Sequence, residues 1–337
     1  MLMNVAINGF GRIGRCFLRA TLLDPQFRKK FKIVAINDLT DAPTLAHLLK
    51  HDTVHGTLKN SVSAEGDFLK IDKDRLRIFA EKDPQKLPWK RLGVDTVIES
   101  TGFYRGREGA ELHLKAGAKR AIISAPPKGD LPVKQIVLGV NEGAFDKKSK
   151  DDRIISMASC TTNCLAPMAK ILDEKFGIEN GIMTTVHAYT NDQKILDFPH
   201  KDLRRARACA ESIIPTTTGA AKSIGEIMPG LKGKLDGISL RVPVPDGSLV
   251  DLTVNLRKEP TADSINKAFL AGSKKMKGIL QYADWPVVSS DIIGNPASCI
   301  FDPEFTKVIG KTAKVFGWYD NEWGYSNRLR DLVRFVS

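Results

Sequence analysis

Residues 2–15 read LMNVAINGFGRIGR, and this stretch decides the fold. The apolar run 2–8 predicts a short buried strand. Gly9-Phe10-Gly11-Arg12-Ile13-Gly14 follows, and Ile13, Cys16, Phe17, Ala20 and Leu23 then fall near one face of a helix that Pro25 stops. Each glycine has a physical role: the first permits a sharp turn, the second lets a pyrophosphate approach the backbone, and the third lets helix and sheet pack closely. N–H groups at the helix start would donate to the phosphates. The glycine pattern alone is weak, but here strand, turn and amphipathic helix stand in the required order. Residues 31–36 read as the next strand, ending in Asn37 and Asp38. A carboxylate about two dozen residues past the last glycine reaches an adenine ribose diol and repels a 2′-phosphate, favouring NAD over NADP. The alternative is a surface aspartate beside an unrelated turn.

Working outward, strands are expected at 94–99, 120–124, 136–140 and 154–157, helices at 44–49 and 106–116, and hairpins within the polar stretch 54–79. Such alternation implies a largely parallel sheet with helices on both faces. The character changes after Cys160. Helices are expected at 161–175, 220–227 and 261–271, strands at 181–189, 237–244, 249–256 and 307–319, and a polar, basic segment at 190–207. In the terminal helix, 323–335, Leu329, Leu332 and Val333 fall mostly on one side with Val336. The expected architecture is an α/β Rossmann-type dinucleotide-binding domain over 1–158, an α+β catalytic domain over 159–322, and a C-terminal helix, 323–337, returning to the first domain.

The chain of 337 residues is 42% hydrophobic and 27% charged, which supports a substantial core and excludes a disordered chain. No apolar run approaches the roughly 18 residues of a membrane helix. The N-terminal MLMNVAINGF has no basic region ahead of an apolar run, so nothing indicates secretion. Five cysteines, an odd number in a long chain, do not make a disulfide framework, and a reducing, cytoplasmic setting is expected. The formal charge of +12 is spread from end to end, which favours a solvated surface plus an anion-binding site and leaves nucleic acid only as a secondary partner.

Cys160 lies in SMASCTTNCLAP (156–167), between a predicted strand and a predicted helix. Helix-start N–H groups and the helix dipole stabilise a thiolate there. His187 stands near the end of another apolar strand and would share the proton if the two meet. Spacing alone leaves open that both are inert core residues. Cys164, one helical turn on, reads as a buried small side chain; without a second cysteine pair at matching range, no metal site is expected.

The motifs INGFGRIGR (7–15), NDLTD (37–41), HDTVHG (51–56), ASCTTNCLAP (158–167), HAYTNDQ (187–193), PHKDLRRAR (199–207), IPTTTGAA (214–221) and WYDNEWGYS (318–326) together resemble the phosphorylating glyceraldehyde-3-phosphate dehydrogenase family, over essentially the whole chain. The resemblance implies that Cys160 attacks the aldehyde carbon of glyceraldehyde 3-phosphate to give a hemithioacetal. Hydride then passes to the nicotinamide of NAD, leaving a thioester, and inorganic phosphate releases 1,3-bisphosphoglycerate. His187 is implied to activate the thiol and remove the hydroxyl proton. Thr190, Asp192, Arg205 and Arg241 are implied at the substrate-phosphate site, with Asp192 orienting Arg241. Ser159, Thr161, Thr218 and Gly219 are implied at the inorganic-phosphate site. On the cofactor side the same resemblance implies Gly9 to Gly14 with Phe10, Arg12 and Ile13 at the pyrophosphate turn, and Asn37 and Asp38 at the adenosine. Ser100, Thr101 and Ser124 are implied at strand ends, Asn321 at the carboxamide and Tyr325 near the ring. It also implies a homotetramer, with 182–199 in the subunit core.

Departures from the family pattern are modest: Cys16 where asparagine is common, Phe103-Tyr104-Arg105 after the ESTG motif, Asp246-Gly247 within PVPDGSLVDL (243–252), and Phe198 ahead of Pro199 in place of leucine. The enzymatic rival is erythrose-4-phosphate dehydrogenase, whose acyl intermediate goes to water. The rival of another class is an RNA-binding protein that retains the fold, with the net charge as its main support.

Overall fold

The computed structural model describes residues 2–337. The chain forms two compact units: the stretch through Ile136 with Gly143–Ala158 and Leu329–Ser337, and Val137–Glu142 with Ser159–Arg328. The chain passes into the second unit at Ser159, and residues 323–328 of the terminal helix belong to that unit.

The first unit carries β1 (Met3–Asn8), α1 (Arg12–Leu22), α2 (Pro25–Arg28), β2 (Phe31–Asn37), α3 (Ala42–Lys50), β3 (Val62–Glu65), β4 (Phe68–Ile71), β5 (Asp74–Phe79), β6 (Val94–Glu99), α4 (Arg107–Lys115), β7 (Arg120–Ile123), β8 (Lys134–Gln135) and β9 (Ile154–Ser156). Its nine strands run in the order β3-β4-β5-β2-β1-β6-β7-β9-β8. The pairs from β5 through β8 are parallel, and only β3-β4-β5 is an antiparallel meander. β1 lies near the centre, as its buried residues Val5, Ala6 and Ile7 require. Register sets the functional end of the sheet: Asn8 of β1 is level with Asn37 of β2 on one side and with Glu99 of β6 on the other.

Two expectations are corrected here. Residues 136–140 form no strand; the two-residue β8 precedes them, and Gly139 at φ +82° turns the chain out of extended geometry. The apolar face of α1 ends at Ala20, because Leu23 is the exposed C-cap.

The second unit carries α5 (Cys160–Phe176), β10 (Ile178–Ala188), β11 (Ile214–Thr217), α6 (Ala220–Ile227), β12 (Leu235–Val242), β13 (Ser248–Leu256), α7 (Ala262–Lys275), β14 (Leu280–Tyr282), α8 (Ser289–Ile292), β15 (Cys299–Ile309) and β16 (Thr312–Tyr319), and the start of α9 (Trp323–Val336). Its seven-stranded sheet runs β11-β12-β10-β13-β16-β15-β14, mixed in direction. The single strand expected over 307–319 is a hairpin instead: β15 and β16 pair antiparallel about Gly310, at φ +55°. Segment 190–207 holds no helix or strand; Asp202 accepts from Arg204 N–H in a local turn, and Asp197 accepts from Ala208 N–H across the base of the loop between them.

Candidate functional site

The glycine turn behaves as its sequence demands. A Cβ on Gly9 (φ +91°) would meet the Thr101 nitrogen at 2.6 Å, and one on Gly14 would meet the Gly9 carbonyl oxygen at 2.3 Å, whereas one on Gly11 would meet nothing within 4 Å. The outer two glycines are forced by packing, and the middle one leaves open backbone at the start of α1, where no side chain caps the helix. That is the cradle a dinucleotide pyrophosphate requires, so the residues present fit NAD. Asp38 is fixed beside the turn, accepting from Phe10 N–H at 2.7 Å and Thr40 N–H at 3.0 Å.

The neighbouring side chains are largely committed to one another. Arg12 makes a forked pair with Asp52, at 2.6 and 3.2 Å. Burial pushes the Asp52 carboxyl up, but Arg12 and the His55 and Val54 N–H groups outweigh it and hold the group at about 2. Asn37 donates to Asn8 Oδ1 at 2.7 Å and to the Glu81 carbonyl at 2.8 Å, and accepts from Glu81 N–H at 2.9 Å. Ser100 donates to the Gly9 carbonyl at 2.7 Å, Ser124 to the Glu99 carbonyl at 3.0 Å, and the Thr101 hydroxyl to the Glu99 carboxylate. Phe10 is buried and Ile13 half-buried. The first unit thus brings together the expected residues from Gly9 to Ser124 at strand ends, while Asn321 and Tyr325 belong to the second unit.

In the second unit, Ala158 at φ +58° swings the chain into α5, and Ser159 caps it, accepting from Thr162 N–H at 2.9 Å. Cys160 is therefore the first helical residue, and its Sγ lies 3.5 Å from His187 Nε2. His187 Nδ1 lies 2.7 Å from the Ala188 carbonyl, which can only accept, and 3.2 Å from Arg241 Nη1, which can only donate; the shorter contact assigns the proton to Nδ1, and Nε2 then presents its lone pair to the sulfur. Burial pushes the thiol up to about 11, against Arg241 and Thr161; burial and then Arg241 push the imidazole down to about 3. Both shifts favour S–H beside a neutral imidazole in the resting pair. The helix start and Arg241 act in the opposite sense and gain strength as the sulfur acquires charge.

Parallel pairing of β10 with β12 places Arg241 directly opposite His187. Arg241 donates to Thr190 Oγ1 at 2.9 Å, and its buried Nε has no hydrogen-bond partner among the described residues. Asp192 takes the Thr190 hydroxyl and pairs with Arg205, so its link to Arg241 runs through Thr190. Burial raises the Asp192 carboxyl, but Thr190, Arg241 and Arg205 together hold it below its ordinary range. Arg205 also donates to Thr216 Oγ1 at 2.9 Å, and Thr216 to Asp202 at 2.8 Å. Gly219 caps α6 without a side-chain bond and with open space at its Cα, and Thr218 Oγ1 accepts from Ala220 N–H at 3.2 Å.

Tyr319 went unread in the sequence. Its hydroxyl lies 2.8 Å from both Thr161 and Thr185, with its ring edge-on to His187. The signal lay inside WYDNEWGYS, but only strand pairing brings it here. Asn321 accepts from Ser248 at 2.6 Å, and Ser248 in turn accepts from Ala188 N–H at 3.1 Å. Asp246 is buried, and burial, with Asp320 and Glu322, raises its carboxyl to about 9. The glycine after it is required, because at φ +83° a Cβ on Gly247 would meet the Ser289 oxygen at 2.4 Å. All five cysteines are unbridged, and Cys164 is buried, donating to the Gly317 carbonyl at 3.4 Å.

A dinucleotide-binding sheet in one unit and a helix-start cysteine with a histidine base in the other define a cysteine-dependent, nicotinamide-linked dehydrogenase. Residues 3–107 match the family model for the glyceraldehyde 3-phosphate dehydrogenase NAD binding domain, and residues 159–321 match that for the C-terminal domain. Glyceraldehyde-3-phosphate dehydrogenases of Streptomyces coelicolor and Mycobacterium tuberculosis are each 56% identical to the chain, and that of Geobacillus stearothermophilus 54%, each across 100% of this chain and 99% of the relative. The chain belongs to the glyceraldehyde 3-phosphate dehydrogenase family.

Proposed function

We propose that this protein oxidises D-glyceraldehyde 3-phosphate to 1,3-bisphosphoglycerate with NAD and inorganic phosphate. The observation that carries this reading is the Cys160 sulfur at the start of α5, 3.5 Å from the unprotonated nitrogen of His187. As the sulfur bonds to the aldehyde carbon, Nε2 takes the thiol proton and passes it to the developing alkoxide, so no preformed thiolate is needed and Nε2 is free again once the hemithioacetal hydroxyl has formed. The same nitrogen then accepts the hemithioacetal hydroxyl proton as the carbonyl re-forms. NAD, when bound at the glycine turn, supplies the hydride acceptor. Cys160 is left as a thioester, and its sulfur leaves as a phosphate oxygen attacks.

Arg241 and Thr190 receive the substrate C3 phosphate, and the unpartnered Arg241 Nε is the free donor such an anion needs. Asp192 and Arg205 set the charge and orientation around them. Ser159, Thr161, Thr218 and Gly219 receive the attacking phosphate. Asn321 holds the nicotinamide carboxamide, with Tyr325 beside the ring. Asp38 holds the adenosine ribose and makes NAD the preferred cofactor over NADP. The chemistry is reversible and serves glycolysis and gluconeogenesis alike. The protein works in the cytoplasm as a homotetramer; the exposed Ile182, Ile195, Leu196 and Phe198 in the segment assigned to the subunit core support its self-association. No helix is long and apolar enough to cross a membrane among the described residues.

The test is absorbance of reduced NAD with glyceraldehyde 3-phosphate or erythrose 4-phosphate, with and without phosphate. Rapid, phosphate-dependent reduction with the three-carbon substrate is expected. Sustained turnover without phosphate, or preference for the four-carbon aldehyde, would give the reading to the rival dehydrogenase.

A further inference from the structure

Behind the expected adenosine site of the first unit lies a buried carboxylate that none of the expected roles uses. Glu99 ends β6, and its side chain and that of His113 are both fully buried. One carboxylate oxygen lies 3.0 Å from His113 Nε2 and 2.6 Å from Asn8 Nδ2. The other accepts from the Thr101 N–H at 2.8 Å and from the Thr101 hydroxyl. Trp89 Nε1–H donates to His113 Nδ1 at 3.1 Å, so that nitrogen carries no proton and Nε2 must carry the one it gives to Glu99. Every donor in this network therefore has one direction. It continues from Asn8 to Asn37, whose amide is bonded to Asn8 Oδ1 and on both sides to Glu81.

We propose that Glu99, with its proton donor His113, is a positioning residue for the adenosine half of NAD. Strand register places Asn37, Asn8 and Glu99 in one row at the sheet's ligand end, and the network locks that row to the Thr101 turn. Asn37 acts in it as a strut, because both of its amide hydrogens are committed, one to Asn8 and one to Glu81. The inference rests on NAD binding at the glycine turn.

A carboxylate is required by donor counting. The isosteric substitution Glu99→Gln aims an NH2 either at the Asn8 and His113 donors or at the two Thr101 donors. Asn8 can relieve the clash only by flipping, which sets its NH2 against that of Asn37. Asn37 can answer only by giving up its bonds to Glu81. A change buried behind the site is thus transmitted to the strand end that carries Asp38.

The test uses the full-length protein and equilibrium NAD binding by isothermal titration, alongside thermal unfolding and KM for glyceraldehyde 3-phosphate. Glu99→Gln and His113→Leu should each weaken NAD binding about tenfold, as loss of a bond to a charged group implies, with KM for the aldehyde unchanged. His113→Gln, which can still donate, should recover most of the affinity. Ile154→Val, a core truncation in the same unit, should lower the melting temperature without weakening NAD. Wild-type affinity in a folded Glu99→Gln, no recovery in a folded His113→Gln, or equal weakening by Ile154→Val would overturn the proposal. Absence of saturable NAD binding by the unaltered protein would instead remove the reading beneath it.

Discussion

At the scale of single residues, the site divides into chemistry carried by residue type and geometry carried by pairing. Cys160 and His187 could be picked out because few other side chains supply a nucleophile and a base. That they touch depends on β10 ending beside the start of α5, which no local pattern shows. Arg241 is the clearer case. It sits opposite His187 because β12, distant in sequence, pairs parallel with β10, so its place in the site came from family resemblance and not from spacing. Its role predicts a specific defect. Arg241→Gln should raise KM for glyceraldehyde 3-phosphate by about tenfold or more, the loss of a charge-assisted pair with the phosphate. NAD affinity measured by titration should not change. Equal loss of both affinities would mean that Arg241 supports the fold of the second unit instead.

Elements were legible where a local rule dictates them and illegible where tertiary partners do. The β1–turn–α1 unit was readable because Gly9 and Gly14 answer steric demands and Gly11 leaves the helix start open, and α5 because Ser159 caps it. The strand expected over 136–140 failed because an apolar run near a glycine satisfies a turn as well as a strand. β11 and β14 are short, and pairing rather than composition makes them strands. The Arg12–Asp52 pair, which joins the start of α1 to the turn after α3, yields a pH prediction. Asp52 titrates near 2 in the folded chain against an ordinary 3.8. The unfolded state therefore takes up the proton first, and the pair's stabilisation is present above about pH 4 and lost as pH falls through 2. Asp52→Asn should cost about 2 kcal/mol at neutral pH, the linkage equivalent of holding its carboxyl near 2 rather than 3.8. Chemical-denaturation midpoints should then converge with those of the parent as pH falls below about 3. A constant gap between the two across that range would show that the charge is not what Asp52 contributes.

At the scale of the whole molecule, two readings reach beyond a single chain. Leu203 and Ile195, each about four-fifths exposed, lie in the irregular segment between β10 and β11. Such surfaces are rare on monomers unless a partner covers them. Leu203→Glu should shift sedimentation from tetramer toward smaller species at micromolar concentration while leaving the secondary-structure spectrum intact; an unaltered tetramer would place the interface elsewhere. The other reading is catalysis itself, which requires Cys160 to carry the oxidised substrate. Intact-mass spectrometry of the protein mixed with NAD and glyceraldehyde 3-phosphate, without inorganic phosphate, measures this directly. The account predicts one acyl adduct per chain, mapped to Cys160, discharged when phosphate is added and absent from Cys160→Ser. Continued NAD reduction with no adduct on the protein, or an adduct that persists on Cys160→Ser, would contradict it.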